Sequence, residues 1–480
     1  MPNNLTHIGD VVKVNLLIKN GIVVAVDKEF RIYQDGAVVI EGNQIVDVGK
    51  TSRIEQKYTK KDYTVIDAKN KAVIPGFVNT HAHLYQNFMK GWHDNLQLKE
   101  WIYYVLFPIV QYANSFPESE KTEFFRTALT LANIEALKTG TTTLVDFSTT
   151  ADISLEVFES TGIRGVGGMT LADRWIPEEL IKPVDEILNN IRKLTKLWHN
   201  KHNGLIKFML APSTPYIASK DLLIESKKLA DELNLPYTIH VAESPYEVEM
   251  AKEETGKTPI KYLYDIGVLD HRVITVHNIW LTEEEINLLA KSGASVSHNP
   301  KSNMRLASGI MQTRKFMDLG INVSIGTDGA ASNDTLDMLD AARAAVLLSK
   351  VFTKDATSLT GVDGLKMATI NGARALLMEH EVGSIEVGKK ADIVLIDLDQ
   401  VHLRPITDIV NVILYAGYGH DVDTVIVDGK VIVENKKVKT VDEEKVLTLA
   451  KEKYEPILQE IYEQTKRDIK NEKNRATFKK

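Results

Sequence analysis

The 480-residue chain contains no cysteine. That absence removes disulfide bridges, thiolate nucleophiles and every zinc site built on sulfur, so any metal must be held by His and carboxylate. Long apolar runs are missing too: the longest, Trp101 to Val110, is about half of the roughly 20 residues that cross a bilayer, so no membrane partner is expected. Residues 1–10, MPNNLTHIGD, lack a cationic stretch leading into an apolar one. No export signal is read there, and the cytoplasm is the expected compartment. Nor is there a basic stripe. Lys and Arg number 58 against 65 Asp and Glu, a net charge of −7, and nothing neutralises a phosphate backbone, which argues against a nucleic acid polymer as partner. Short repeats and low-complexity tracts are absent.

What is present is an ordinary globular composition, 44% hydrophobic and 26% charged, in a chain long enough for one large core and a smaller companion. Residues 1–73 read as short strands broken by Gly, Asn and Asp, as in VNLLIKNGIVVAVD and GAVVIEGNQIVDVG. Over residues 74–375 apolar strands alternate with helical stretches such as LTEEEINLLAKSG, the pattern of a parallel sheet with crossover helices. Eight such strands (IPGFVNTHAH, TTTLVDF, IRGVGGMTL, LIKFMLAP, PYTIHVAE, RVITVHNIW, ASVSHNP and NVSIGTD) predict a (β/α)8 barrel. Strand texture returns over 376–440, which predicts that the two termini pair as one discontinuous β-sandwich beside the barrel. Residues 441–480 carry Leu447, Leu449, Tyr454, Leu458, Ile461 and Ile469 among many charges and read as an amphipathic helical arm with a frayed end.

A barrel of this kind places its chemistry at the C-terminal ends of the strands. Five of the 13 histidines, His81, His83, His240, His277 and His298, fall at or beside predicted strand ends. His81 and His83 are two apart in an extended segment, which sends both imidazoles to one face, where a single cation can take both. Asp328 stops the apolar run of NVSIGTD; a carboxylate there can ligate or can cap the next helix. His240 and His277 end strands five and six, where a lone histidine is more often a hydrogen-bonded core residue, although packing gives no reason for several to gather at one mouth. Glu243, three residues after His240, is either an exposed loop acid or a carboxylate lying over the pocket beside a metal.

Together PGFVNTHAHLYQ, HVAE, VHNIWL, SHNPKSNMRLASG and GTDGAASND resemble the amidohydrolase superfamily, from the N-terminal sheet to about residue 435. More narrowly they are similar to its aromatic and heterocyclic aminohydrolases: methylthioadenosine/S-adenosylhomocysteine deaminases, 8-oxoguanine and guanine deaminases, and triazine hydrolases. The resemblance implies a metal-dependent hydrolase that exchanges C–NH2 for C=O on a small nitrogen heterocycle of purine, pterin or triazine type. It implies one divalent cation, zinc first and iron second, held by His81, His83, His240 and Asp328. Asp328 would also take up the proton of the attacking water, His277 would orient that water, and Glu243 would shuttle protons. Strand four ends in APSTPY, without the bridging carboxylated Lys or acid of dinuclear members, so a mononuclear site is expected.

Departures bear on the substrate. Nucleoside-type relatives carry His where this chain has Ser213, and a ribose-gripping acid where it has Val110, which weakens an adenosine derivative. Gln86, five residues after His81, matches 8-oxoguanine-type members, where an amide reads a ring edge; it can equally support the ligands. Trp92 is either a pocket wall for a flat ring or part of the core. His298 is expected to shape the pocket or touch substrate. The alternatives are a triazine-type hydrolase expelling chloride or alkylamine, a methylthioadenosine/S-adenosylhomocysteine deaminase, and a scaffold without catalysis. Relatives imply a homodimer or homotetramer.

Overall fold

The computed structural model describes residues 15–58 and 62–477. The segment read for an export signal and the extreme C-terminal end lie outside those residues.

Eight parallel strands form the main sheet: β1 (Phe77–Asn79), β2 (Thr141–Ser148), β3 (Arg164–Leu171), β4 (Ile206–Pro212), β5 (Tyr237–Val241), β6 (Val273–His277), β7 (Ser295–His298) and β8 (Val323–Ile325). They pair in chain order from β1 to β8. All are buried on both faces except for isolated positions, as the continuous apolar runs predict. Polar groups close the seam between first and last strands. Thr80 N–H donates to the Ile325 carbonyl at 3.1 Å and Asp328 N–H to that of His81 at 2.9 Å, while the Thr80 hydroxyl bonds Ser297 and Ser324. The eight expected strands are all present, and the barrel stands.

The termini do join, in one hydrogen-bonded sheet. Its order runs Lys437–Val438, Lys430–Glu434, Val422–Val427, Ile393–Asp397, Lys71–Pro75, Leu16–Val24, Ile32–Glu41, Gln44–Lys50. The join is antiparallel, Ile74 opposite Val394. The N-terminal part is mixed: Leu16–Val24 pairs in parallel with Thr64–Asp67 and with Lys71–Pro75. The reason is a short helix, Thr51–Tyr58, which buries Thr51, Ile54 and Tyr58 and carries the chain back in the starting direction.

Asp47 anchors that helix. Its carboxylate accepts Arg53 Nη2 at 2.7 Å, Lys57 Nζ at 2.6 Å and Tyr58 Oη at 3.2 Å. Burial alone would raise the Asp47 carboxyl, but the bonds from Arg53 and Lys57 outweigh it and hold it down at about 2. Because the folded value lies below the unfolded value of about 3.9, this contribution is present above pH 4 and fades as the pH falls toward 2. Arg53 and Lys57 are half exposed, which limits it to about 1 kcal/mol. Asp47→Asn should therefore lower stability by that amount at pH 7, and thermal unfolding should show the gap to wild type closing between about pH 4 and pH 2.

The C-terminal arm is helical from Glu443 to Thr477. Tyr454 and Leu458 are buried, the Tyr454 ring lying 5.4 Å from Phe88 and 5.3 Å from Phe124. Leu447, expected on the apolar face, is exposed. No helix among the described residues is long and apolar enough to cross a membrane.

Candidate metal centre and active site

Three strand ends turn abruptly at the barrel mouth. Ala242, His277 and Asp328 have φ of 51°, 73° and 64°, the left-handed region that non-glycine residues seldom occupy and that clusters at functional sites. These bends aim the side chains at one point. The rings of His81 and His83 lie 4.8 Å apart, those of His81 and His240 4.8 Å, and those of His240 and His277 5.6 Å. Asp328 Oδ1 stands 3.6 Å from His81 Nε2 and 3.5 Å from His83 Nε2.

The hydrogen bonds around this cluster fix its tautomers. His83 Nδ1 donates to the Phe147 carbonyl at 2.6 Å and His240 Nδ1 to that of Ser213 at 2.9 Å. Both Nε2 lone pairs are thereby left facing inward, only 3.3 Å apart. Burial, and then the neighbouring imidazoles, keep His240 well below the usual histidine range; burial brings His81 down to about 4. Both ring nitrogens of His81 are buried without a hydrogen-bond partner. Neutral imidazole nitrogens with no proton to share, converging on a carboxylate oxygen, make a donor set suited to a divalent cation.

Asp328 is committed to this cluster. The short helix after it, Ala330–Asn333, has Gly329 at its cap and no side-chain cap bond. Asp328 Oδ2 accepts the Ser302 hydroxyl at 2.6 Å and Oδ1 the Gly329 N–H at 2.8 Å. Burial would raise its carboxyl, yet the His81 ring 3.6 Å away and the other surrounding imidazoles hold it well below the ordinary range.

His277 differs from the other three histidines. Its Nδ1 accepts amide N–H groups of Asn303 at 2.9 Å and Asn299 at 3.3 Å, so its proton sits on Nε2, 3.4 Å from Glu243 Oε2. It is poised to donate a hydrogen bond. Glu243 is 5% exposed, which rules out the exposed-acid alternative. Its Oε1 accepts the Ser308 hydroxyl at 3.0 Å. Burial, and then the charge of Asp328, raise its carboxyl above the ordinary range, so it takes up a proton more readily than a free acid.

The other expected site residues fall in different places. Gln86 is buried with its Oε1 unpartnered, against the backbone beside Asp328: a Cβ on Gly329 would lie 1.8 Å from that oxygen, so the amide would have to move for any other residue there. Ser213 contributes its main chain, whose carbonyl holds His240. His298 is buried with Nδ1 unpartnered, and burial brings its ring down to about 3. Trp92 is also buried, and its ring packs 5.8 Å from Tyr462 of the C-terminal arm. Val110 is half-buried on the helix Phe107–Asn114.

Sequence reasoning missed the residues that hold the site. Glu247 Oε2 accepts the backbone N–H groups of Glu243 at 2.8 Å and Ser244 at 3.2 Å, fixing the loop that carries the acid. The Ser-x-x-Glu capping spacing from Ser244 to Glu247 was the available signal. Asp146 accepts the Leu84 N–H at 2.8 Å and so positions the segment after His83. Asn299, Ser302, Asn303 and Ser308 all lie within SHNPKSNMRLASG, without any residue pattern marking their roles.

This barrel gathers a histidine–carboxylate cluster suited to a divalent cation at its mouth. A family model described as the amidohydrolase family matches residues 72–432. The chain is 39% identical over 430 residues to a 5-methylthioadenosine/S-adenosylhomocysteine deaminase of Thermoanaerobacter pseudethanolicus, covering 89% of this chain and 96% of that one. It is 40% identical over 379 residues to a 5'-deoxyadenosine deaminase of Methanosphaera stadtmanae, covering 79% and 86%. A solved adenosine deaminase from Xanthomonas campestris with bound zinc superposes with a TM-score of 0.85 at 30% identity, over 94% of this chain and 99% of that one. The chain belongs to the amidohydrolase family. Within it, this is a hydrolase of non-peptide carbon–nitrogen bonds, in the branch of heterocycle deaminases.

Proposed function

We propose that the protein deaminates an aminopurine, with His81, His83, His240 and Asp328 holding one zinc ion and Glu243 carrying protons. The observation that bears most weight is the pairing of a proton-poor cluster of imidazoles and Asp328 with a separate, buried, proton-accepting Glu243. A bound divalent cation supplies Lewis acidity, lowering the pKa of water to about 7. Asp328 accepts a proton from the attacking water as the new C–O bond forms at the amino-bearing carbon. Glu243 delivers a proton to the adjacent ring nitrogen, and His277 donates its Nε2–H to the new oxygen. The proton held by Asp328 then passes to the amine, the hydroxyl proton of the tetrahedral adduct returns to Glu243, the C–N bond breaks, and ammonia leaves a C=O behind. Water is the only co-reactant, and the balance closes.

Identity to deaminases named for adenosine derivatives supports the purine ring and shifts the weight toward a nucleoside, which Ser213 and Val110 alone argue against. The sugar must then be held by other groups, whereas the unpartnered Oε1 of Gln86 is available to a ring edge. Elemental analysis should find one first-row divalent cation per chain, zinc before iron. Chelation should abolish ammonia release from 5'-deoxyadenosine, methylthioadenosine or a free aminopurine, and zinc should restore it. Full activity without a cation, or no ammonia from any aminopurine while pterins or chlorotriazines react, overturns the reading. A homodimer or homotetramer acting in the cytoplasm completes the proposal; light scattering on the purified protein tests the assembly.

A further inference from the structure

A second histidine–carboxylate cluster lies in the terminal sheet. The strands Ile393–Asp397 and Val422–Val427 pair with Ile396 opposite Val422, which brings His402, just after the first, to His420 and Asp421, just before the second. One ring nitrogen each of His402 and His420 and a carboxylate oxygen of Asp421 all lie within 4.8 Å of one another. Asp421 is 1% exposed. Its Oδ2 accepts His402 Nε2 and the Tyr418 N–H, each at 2.8 Å. Its Oδ1 is buried with no hydrogen-bond partner and faces His420 Nε2 at 3.6 Å.

A buried carboxylate oxygen left unpartnered is costly and asks for a cation or donor. Tetrahedral zinc with bonds of about 2.0–2.1 Å spaces its donor atoms about 3.4 Å apart, close to the His420–Asp421 separation. The two imidazoles can adjust, since the His402 and His420 side chains are 35% and 72% exposed. Tyr418 orders them: its ring stacks on His420 at 5.1 Å and lies 5.4 Å from His402. The neighbouring cation, Arg343, sits over the Tyr418 ring and is engaged by the carbonyls of Leu414 and Gly417.

We infer that His402, His420 and Asp421 form a second site for a divalent cation of the zinc class, with water completing the shell. It would clamp the end of one sheet strand to the start of its neighbour. This inference does not rest on the deaminase reading, because none of the three residues belongs to the barrel cluster.

The test uses the holoenzyme with its barrel cluster loaded, titrated with zinc by calorimetry and followed by elemental analysis and thermal unfolding. Wild type should take up one further zinc per chain at micromolar affinity and unfold several degrees higher with zinc. The His402→Ala/His420→Ala variant should lose both effects and keep its ammonia release. His420→Gln, at an exposed ring that folding does not depend on, should weaken the added zinc at least tenfold. Equal uptake by wild type and these variants, or a zinc-induced rise in melting temperature that survives them, overturns the assignment.

Discussion

Glu243→Gln is expected to retain the barrel cation at wild-type stoichiometry while kcat for ammonia release falls about 10²–10⁴-fold, the usual worth of a positioned acid–base group. The substitution is nearly isosteric: with its oxygen toward His277 Nε2 the amide can turn its NH2 to the Ser308 hydroxyl, which accepts in place of donating, and it leaves His81, His83, His240 and Asp328 untouched. What it removes is the capacity to take a proton in one step and give it back in the next. An amide oxygen beside His277 Nε2 still accepts a hydrogen bond, so substrate affinity should change much less than turnover. Steady-state kinetics with elemental analysis of the same preparation checks both halves. Undiminished ammonia release would move the proton transfer to another group. Loss of cation would make Glu243 part of the metal cluster instead of its neighbour.

The parts of this site that were legible in the sequence are those tied to strand ends. His81, His83, His240, His277 and Asp328 each follow an apolar run, and a parallel barrel brings the ends of all its strands to one mouth whatever the loops do. Glu243 was legible because it lies three residues beyond such an end. The groups that set tautomers and orient the acid were not, because their partners are distant in the chain: Ser308 meets Glu243 across 65 positions and Asn303 meets His277 across 26. Trp92 illustrates the opposite limit. An aromatic residue in a loop after a strand reads alike whether it faces substrate or a packing arm, and its contact with Tyr462, far along the chain, leaves no trace in the local sequence. The parallel pairing in the N-terminal sheet escaped for a related reason, since the crossover that permits it is a helix of eight residues, Thr51–Tyr58, too short for its periodicity to stand out. The same holds for the pairing of His402 with Asp421, nineteen positions apart and joined only by strand register.

Arg164→Met should destabilise the fold by about 3–5 kcal/mol without changing turnover per folded molecule. Arg164 starts β3, at the end of the barrel away from the mouth, and its side chain is fully buried. Its guanidinium donates through Nε and Nη2 to the two oxygens of Asp392, each at 2.8 Å, through Nη2 to Asp428 at 3.2 Å and through Nη1 to the Gly204 carbonyl at 3.2 Å. Asp392 also accepts the Asp428 N–H at 2.8 Å, and its own carbonyl accepts the Gly76 N–H at 3.0 Å. One cation thus joins the barrel to the sheet made from both termini, with each of its three nitrogens engaged. Methionine fills similar volume, so the loss isolates the charge: Asp392, 4% exposed, is left as a buried carboxylate with a single backbone donor on its Oδ1. Adding Asp392→Asn removes that stranded charge and should recover much of the lost stability, because a buried ion pair is costly to break and far less costly to replace whole. Denaturant unfolding of the two single variants and the double variant measures the coupling. A single variant as stable as wild type, or a double variant no better than Arg164→Met, would show that packing alone holds the two sheets together.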